Sequence, residues 1–134
     1  MREILHPKSL PAPLYRYSPF IKTGPFYQSA GMVALDLDTG KLISGGVQAQ
    51  ASQILFNMQS ALKDLGLRLE DLIACHIYTT KFEEFPAINA AWEEVFTRGV
   101  MPPARTSIGV SALPLGALVE MEFKIYKENH YNEA

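Results

Sequence analysis

The chain has 134 residues, a formal net charge of −2 and a sequence pI near 5.9. That length predicts one domain, residues 1–134, able to bury about two thirds of its unfolded surface without disulfides or metals. The slightly acidic balance argues against a nucleic-acid binder, which needs a basic stripe. The single cysteine, Cys75, rules out an internal disulfide and fits a reducing compartment.

The first residues, "MREILHPKSLPAP", carry no apolar run of signal-peptide length, and no window approaches the ~18 apolar residues of a membrane span. The expectation is a soluble, cytoplasmic protein with no membrane partner. Residues 2–6 predict a short strand before the Pro-rich "PKSLPAP". Residues 17–23 and 26–35 read as a hairpin around Gly24-Pro25, and Asp38-Thr39-Gly40 as a further turn.

Residues 47–65 give the clearest helix. Val47, Ala51, Ile54, Leu55, Met58, Ala61, Leu62 and Leu65 recur at three- and four-residue intervals. Gln48, Gln50, Gln53, Gln59 and Lys63 are assigned to its wet face, and Gly66 ends it. Residues 71–79, "DLIACHIYT", predict a strand. A second helix is expected from about Glu84 to Thr97, with Phe85, Ile88, Trp92, Val95 and Phe96 as its apolar stripe. Pro86 fits only in the first turn, where its missing N–H costs nothing.

The stretch "MPPARTSIGVSALPLGALVEMEF" predicts two neighbouring strands joined by a Leu-Pro-Leu-Gly turn. Alternation puts Ala104, Thr106, Ile108 and Val110 on one face of the first, read as the core face, and Arg105, Ser107 and Gly109 on the other. In the second, Ala117, Val119, Met121, Phe123 and Ile125 oppose Glu120 and Glu122. The order of elements implies one mixed sheet with two helices on one face, an α+β architecture. Two helices cover only one face of such a sheet, so the other must meet water or another subunit.

Standard chemistries are missing from the pattern. No His/Cys cluster has metal-ligand spacing, and no Gly-rich phosphate loop or Gly-x-Ser-x-Gly elbow is present. His6, His76 and His130 are scattered, so no metal is expected. Cys75 reads as a small buried hydrophobe. Arg105 and Glu120 admit two readings from alternation alone. One is an ion pair or two solvated charges on a half-exposed sheet. The other is a guanidinium that grips a carboxylate at two points, beside a glutamate that holds or activates a water.

These segments resemble the RidA/YjgF/YER057c/UK114 family of enamine/imine deaminases. "PPARTSIGVSALPLGALVEMEF" is similar to the family signature, Pro-Ala-Arg-Ser/Thr leading to Leu-Pro and then Ala-Leu-Val-Glu-Ile-Glu. "EEFPAINAAWEEVF" resembles its Phe-x-x-hydrophobic-Asn-x-x-Tyr/Trp helix. The resemblance implies a chorismate-mutase-like fold assembled as a homotrimer, with a substrate cleft at each subunit boundary. By resemblance, Arg105 grips the substrate carboxylate, Glu120 positions the attacking water and Tyr17 closes the cleft. Gly31 lets the backbone approach the ligand, Asn89 lies near the inter-subunit contact, and Ser107 stands where many members have cysteine. Asn89 reads equally well as a structural hydrogen bond at the helix start.

The implied activity is that of a 2-iminobutanoate/2-iminopropanoate deaminase that uses no cofactor and takes small 2-imino acids to 2-keto acids and ammonia. The chain departs from the family at Pro19, where a glutamine is lost, and at Ala30 and Met32, where Ser-Gly-Gln becomes Ala-Gly-Met. Arg16, an addition, reads as a solvated surface residue. The departures leave open a pathway-specific deaminase of a larger enamine acid such as 2-aminomuconate. A third reading, of another class, is a non-catalytic regulatory trimer that binds small carboxylates.

Overall fold

The long helix forms where the apolar spacing places it. In a computed structural model, which describes residues 1–128, α1 runs Val47–Asp64. Ile54, Leu55, Met58 and Ala61 are fully buried along its inner stripe. Each large side chain there contributes roughly 1.5–3 kcal/mol of burial. The helix ends as expected at Gly66, whose φ of +73° suits glycine. There the Leu67 N–H donates to Leu62 O and the Gly66 N–H to Lys63 O, which satisfies two terminal carbonyls. Two polar residues join the buried stripe. Asn57 donates from Nδ2 to Leu35 O, and the Oε1 of Gln50 accepts from the Leu118 N–H at 2.9 Å. Gln50 therefore does not belong to the wet face: it falls beside Val47 and Ile54 on the inner side, and Leu118 supplies the donor that makes its burial tolerable.

Six strands accompany α1: β1 (Arg2–Leu5), β2 (Phe20–Thr23), β3 (Phe26–Ser29), β4 (Leu72–Thr79), β5 (Ala104–Gly109) and β6 (Val119–Tyr126). The second helix, α2, spans Phe85–Val95 with Pro86 in its first turn, as expected. The strands form one sheet in the order β1-β2-β3-β6-β4-β5. Only β4 and β5 run parallel, and α2 makes the crossover between them. The sheet is mixed and the class is α+β, as the element order implies.

Three further expectations are corrected. The strand predicted over 26–35 stops at Ser29, and only isolated bridges, Met32 with Met121 and Leu35 with Leu42, continue it. The two C-terminal strands are not neighbours, because β4 lies between them. A run of local sequence shows that two strands exist but not which third strand enters between them.

The phase of β5 is also reversed. In parallel register Arg105 pairs with Cys75, Ser107 with Ile77 and Gly109 with Thr79. Cys75, Ile77 and Thr79 are buried, as are Val119, Met121 and Phe123 opposite them on β6. Arg105, Ser107 and Gly109 therefore share the helix-covered face. Ala104, Thr106 and Ile108 lie on the open face and are exposed. Alternation separates two faces without saying which is inward, and on this edge strand the register with β4 decides it.

Both helices cover the same face. α1 packs on β6 and on α2, and the core gathers Phe20, Tyr27, Ile77, Met121, Phe123 and Ile125 beneath them. The opposite face carries His76, Tyr78, Glu120, Glu122 and Lys124, and no element among the described residues covers it.

Candidate active site

Arg105 sits on β5 beneath the start of α2. Its guanidinium carbon lies 5.4 Å from the centre of the Phe85 ring and 5.1 Å from that of Trp92. Ring faces attract the cation through their quadrupoles and leave the guanidinium edge free to donate. Among the described residues Arg105 makes no ion pair. The surface ion-pair reading of Arg105 with Glu120 therefore fails within one chain, since the two lie on opposite faces of the sheet.

The aromatic platform extends past these two rings. Phe82 stacks near Phe85 at 5.3 Å, and its Cβ lies 3.4 Å from where a side chain on Gly109 would begin. Ser107 stands between Gly109 and Arg105 on the same face and is half-buried. Asn89 follows Phe85 by one turn and precedes Trp92 by another, so it shares their side of α2. Its Oδ1 is buried and has no hydrogen-bond partner among the described residues. The helix-start alternative for Asn89 is not met at that atom. Helix α2 begins four residues earlier, without a side-chain cap.

Cys75, the register partner of Arg105, is buried, and burial pushes its thiol up to about 12 against the opposing pull of Arg105. A thiol so strongly protonated is a poor nucleophile, which agrees with its reading as a core residue.

Glu120 and Gly31 come together on the open face. Met32 pairs with Met121, its N–H donating to Met121 O at 2.7 Å and its carbonyl accepting from Met121 N at 3.0 Å. This bridge lays Gly31 against the Glu120 side chain. A Cβ on Gly31 would lie 2.7 Å from Glu120 Oε2 and 2.9 Å from Cδ, so only glycine leaves the carboxylate where it is. Burial, and secondarily the charge of Glu122, raises the Glu120 pKa above the ordinary carboxylate value. Tyr17 lies in the irregular segment before β2 with 53% of its surface exposed, and Arg16 is exposed beside it.

The predicted site residues thus form two half-sites. Arg105, Ser107 and Asn89 occupy the edge between β5 and α2, on the helix side. Glu120 and Gly31 occupy the open face, two strands further in. Sequence reasoning missed the ring platform under Arg105 and the residues around Glu120. Their only sequence signals are the aromatic spacing of α2 and the Glu-x-Glu alternation of β6. A groove of about 320 Å³ lined by Ile21, Thr23, Phe26, Tyr27, Gln28 and Lys124 lies toward the other end of the sheet from β5. Among the described residues no group of three or more His, Cys, Asp or Glu could hold a metal, and no helix is long and apolar enough to cross a membrane. His130 lies outside the described residues.

A mixed six-stranded sheet, two helices on one face and a free arginine beside an aromatic row define a small α+β domain of the type found in the Rid proteins. The chain belongs to the RidA/YjgF/UK114 family: residues 7–126 match the family model described as Endoribonuclease L-PSP. It is 34% identical over 128 residues to a RutC family protein of Pyrococcus horikoshii, covering 96% of this chain and all of that one. It is 29% identical over 121 residues to a protein of Dermatophagoides farinae named 2-iminobutanoate/2-iminopropanoate deaminase, covering 90% of this chain and 93% of that one. Among solved structures, a Rid family protein of Yersinia pestis superposes with a TM-score of 0.88 at 28% identity, covering 94% and 99% of the two chains. The family supports enamine/imine deaminase chemistry of the Rid type in general.

Proposed function

We propose that the protein is a hydrolytic deaminase of small 2-imino acids, such as those formed from 2-aminoacrylate and 2-aminocrotonate, working in clefts between the subunits of a homotrimer. The observation that carries this reading is the Arg105 guanidinium, fixed on two rings and free of any carboxylate among the described residues. A planar fork held this way suits a substrate carboxylate. In the reaction the enamine first tautomerises to the imine. Water then adds to the C=N carbon while Glu120 takes its proton. That proton passes to the nitrogen to give the carbinolamine. Glu120 then carries the hydroxyl proton to the nitrogen as the C–N bond breaks and the C=O bond forms, releasing the 2-keto acid and ammonia. An imine is already electrophilic, so positioning supplies much of the rate and the chain needs no nucleophile of its own.

The arrangement of the half-sites supports the oligomer. Arg105 and Glu120 cannot both face one substrate within a chain, so a second copy must bring its Glu120, Gly31 and Tyr17 to the Arg105 edge. The uncovered sheet face gives the copies a surface to share. Sedimentation at micromolar concentration is expected to give a mass near three chains of 14.9 kDa each. A stable monomer with full activity would rule the shared cleft out.

The direct test couples the protein to a threonine dehydratase and follows release of 2-ketobutyrate. Release is expected to quicken with added protein and to be unchanged by exhaustive chelation. No acceleration, or activity lost to EDTA and restored by a divalent metal, would count against the proposal. Phe82, Phe85 and Trp92 beside Arg105, with Met32 where relatives resembling this chain carry glutamine, favour a second reading in which the preferred acid is larger and more apolar, such as 2-aminomuconate. Direct RNA cleavage fits the surface less well. The site face carries Glu120 and Glu122, and their charge opposes a phosphate backbone.

A further inference from the structure

The open face holds a polar cluster around Glu120 that the reaction described above does not use. Glu122 follows Glu120 by two residues and so lies on the same face of β6. Across the ladder, Tyr78 is the register partner of Glu120 and His76 that of Glu122. Tyr78 does not bond the carboxylate opposite it. Its hydroxyl donates diagonally to Glu122 Oε1 at 2.7 Å, and His76 Nδ1 stands 3.4 Å from the same oxygen. Glu122 is only 30% exposed, so its carboxylate is turned to a fixed place beside Glu120.

We propose that Glu122, pinned by Tyr78 and His76, is a positioning residue that sets how tightly Glu120 holds a proton, an inference that rests on reading Glu120 as the water-activating base. Two carboxylates on one face of a half-buried strand repel, and the repulsion eases when one of them binds a proton. Pinning Glu122 prevents it from turning away and relieving that repulsion. A base is most effective when its proton affinity lies near the working pH, and the neighbouring charge moves Glu120 in that direction. Tyr78 serves as a donor throughout, because its bond to Glu122 holds its hydroxyl proton up to about 12.

The charged and titratable groups facing Glu120 are few. Its own strand offers Glu122 and, further along, Lys124; β4 offers Tyr78 and His76. From β5, Thr106 and Ile108 add no charge, and neither do Gly31 and Met32. Arg105 lies on the opposite face.

The test is a carboxyl ¹³C titration of the full protein labelled at glutamate, with Glu120→Gln used to assign the Glu120 signal. Glu122→Gln removes a negative charge and is expected to move the Glu120 midpoint down. Tyr78→Phe removes the hydroxyl that pins Glu122, frees it to turn away, and is expected to move the midpoint down as well, by a smaller step. The acid limb of kcat/KM for imine hydrolysis should follow in the same direction, with Glu122→Gln about two- to threefold slower at neutral pH. A residue that only braces the sheet would leave the Glu120 midpoint in place in both variants. A Glu120 midpoint unmoved in both would overturn the proposal, whatever the activity. Midpoints that move as expected in a protein unable to hydrolyse imines would uphold the coupling and remove the deaminase reading instead.

Discussion

Arg105→Ala is expected to lower kcat/KM for 2-iminobutanoate by roughly 30- to 5,000-fold, the equivalent of about 2–5 kcal/mol for two charge-assisted hydrogen bonds lost in a closed cleft. The structure sharpens this expectation. The guanidinium lies over Phe85 and Trp92 on the helix-covered side of β5, not on a bare sheet face. Removing it therefore also loses two cation–π contacts, each worth roughly 0.5–1 kcal/mol at an exposed site. A modest fall in melting temperature should accompany a large fall in activity. Arg105→Lys is expected to restore little, because a single ammonium cannot present a planar two-point donor to a carboxylate. Deamination and melting should be measured on the same preparation. An Arg105→Ala protein that melts lower yet deaminates normally would reduce Arg105 to a packing residue.

Gly31→Ala should separate the two half-sites. The new methyl would arrive 2.7 Å from Glu120 Oε2 and 2.9 Å from its Cδ, closer than such atoms can stay. The obstacle is the far end of a flexible side chain, so the fold can yield by swinging Glu120 aside. Gly31 does not have positive φ, so alanine suffers no backbone strain there and can even gain about 0.4–1 kcal/mol from a less flexible unfolded chain. The expected result is a protein of near-normal or slightly raised melting temperature whose turnover falls on the order of 100-fold, the cost of displacing a catalytic group by about 1 Å. Binding of an unreactive 2-keto acid, which the reading assigns chiefly to Arg105, should weaken far less. Normal turnover in a folded Gly31→Ala protein would mean that Glu120 does not need its observed place.

The pH dependence follows from the same carboxylate. In the proposed reaction Glu120 serves as a base only when ionised, and burial and Glu122 raise its pKa above the ordinary carboxylate value. Activity should therefore fail on the acid side at a higher pH than an exposed glutamate would impose. The Glu122→Gln and Tyr78→Phe variants described above should both shift that limb toward lower pH.

Both helices could be read from local patterns alone. An apolar recurrence every three or four residues has one stable use, a helix laid against a core, and Pro86 and Gly66 mark chain positions where only one local geometry is cheap. The strands are legible for the same reason, and the Pro-Ala-Arg and Leu-Val-Glu segments point to the family by themselves. What could not be read depended on partners distant in sequence. Gln50 looks solvent-facing by composition, yet Leu118, 68 residues away, supplies the donor that lets it be buried. The alternation of β5 was correct as a period and wrong in phase, because Ile108 looks more like a core residue than Arg105 does. Pairing with Cys75 and Ile77, and the rings of α2, put the arginine, itself still exposed, on the helix-covered face and leave the isoleucine on the open one. The insertion of β4 between β5 and β6 likewise separates Arg105 from Glu120. Periodicity is a property of neighbouring residues and survives in the sequence. Register, facing and strand order are set by contacts between segments far apart along the chain, so they exist only once those segments have met.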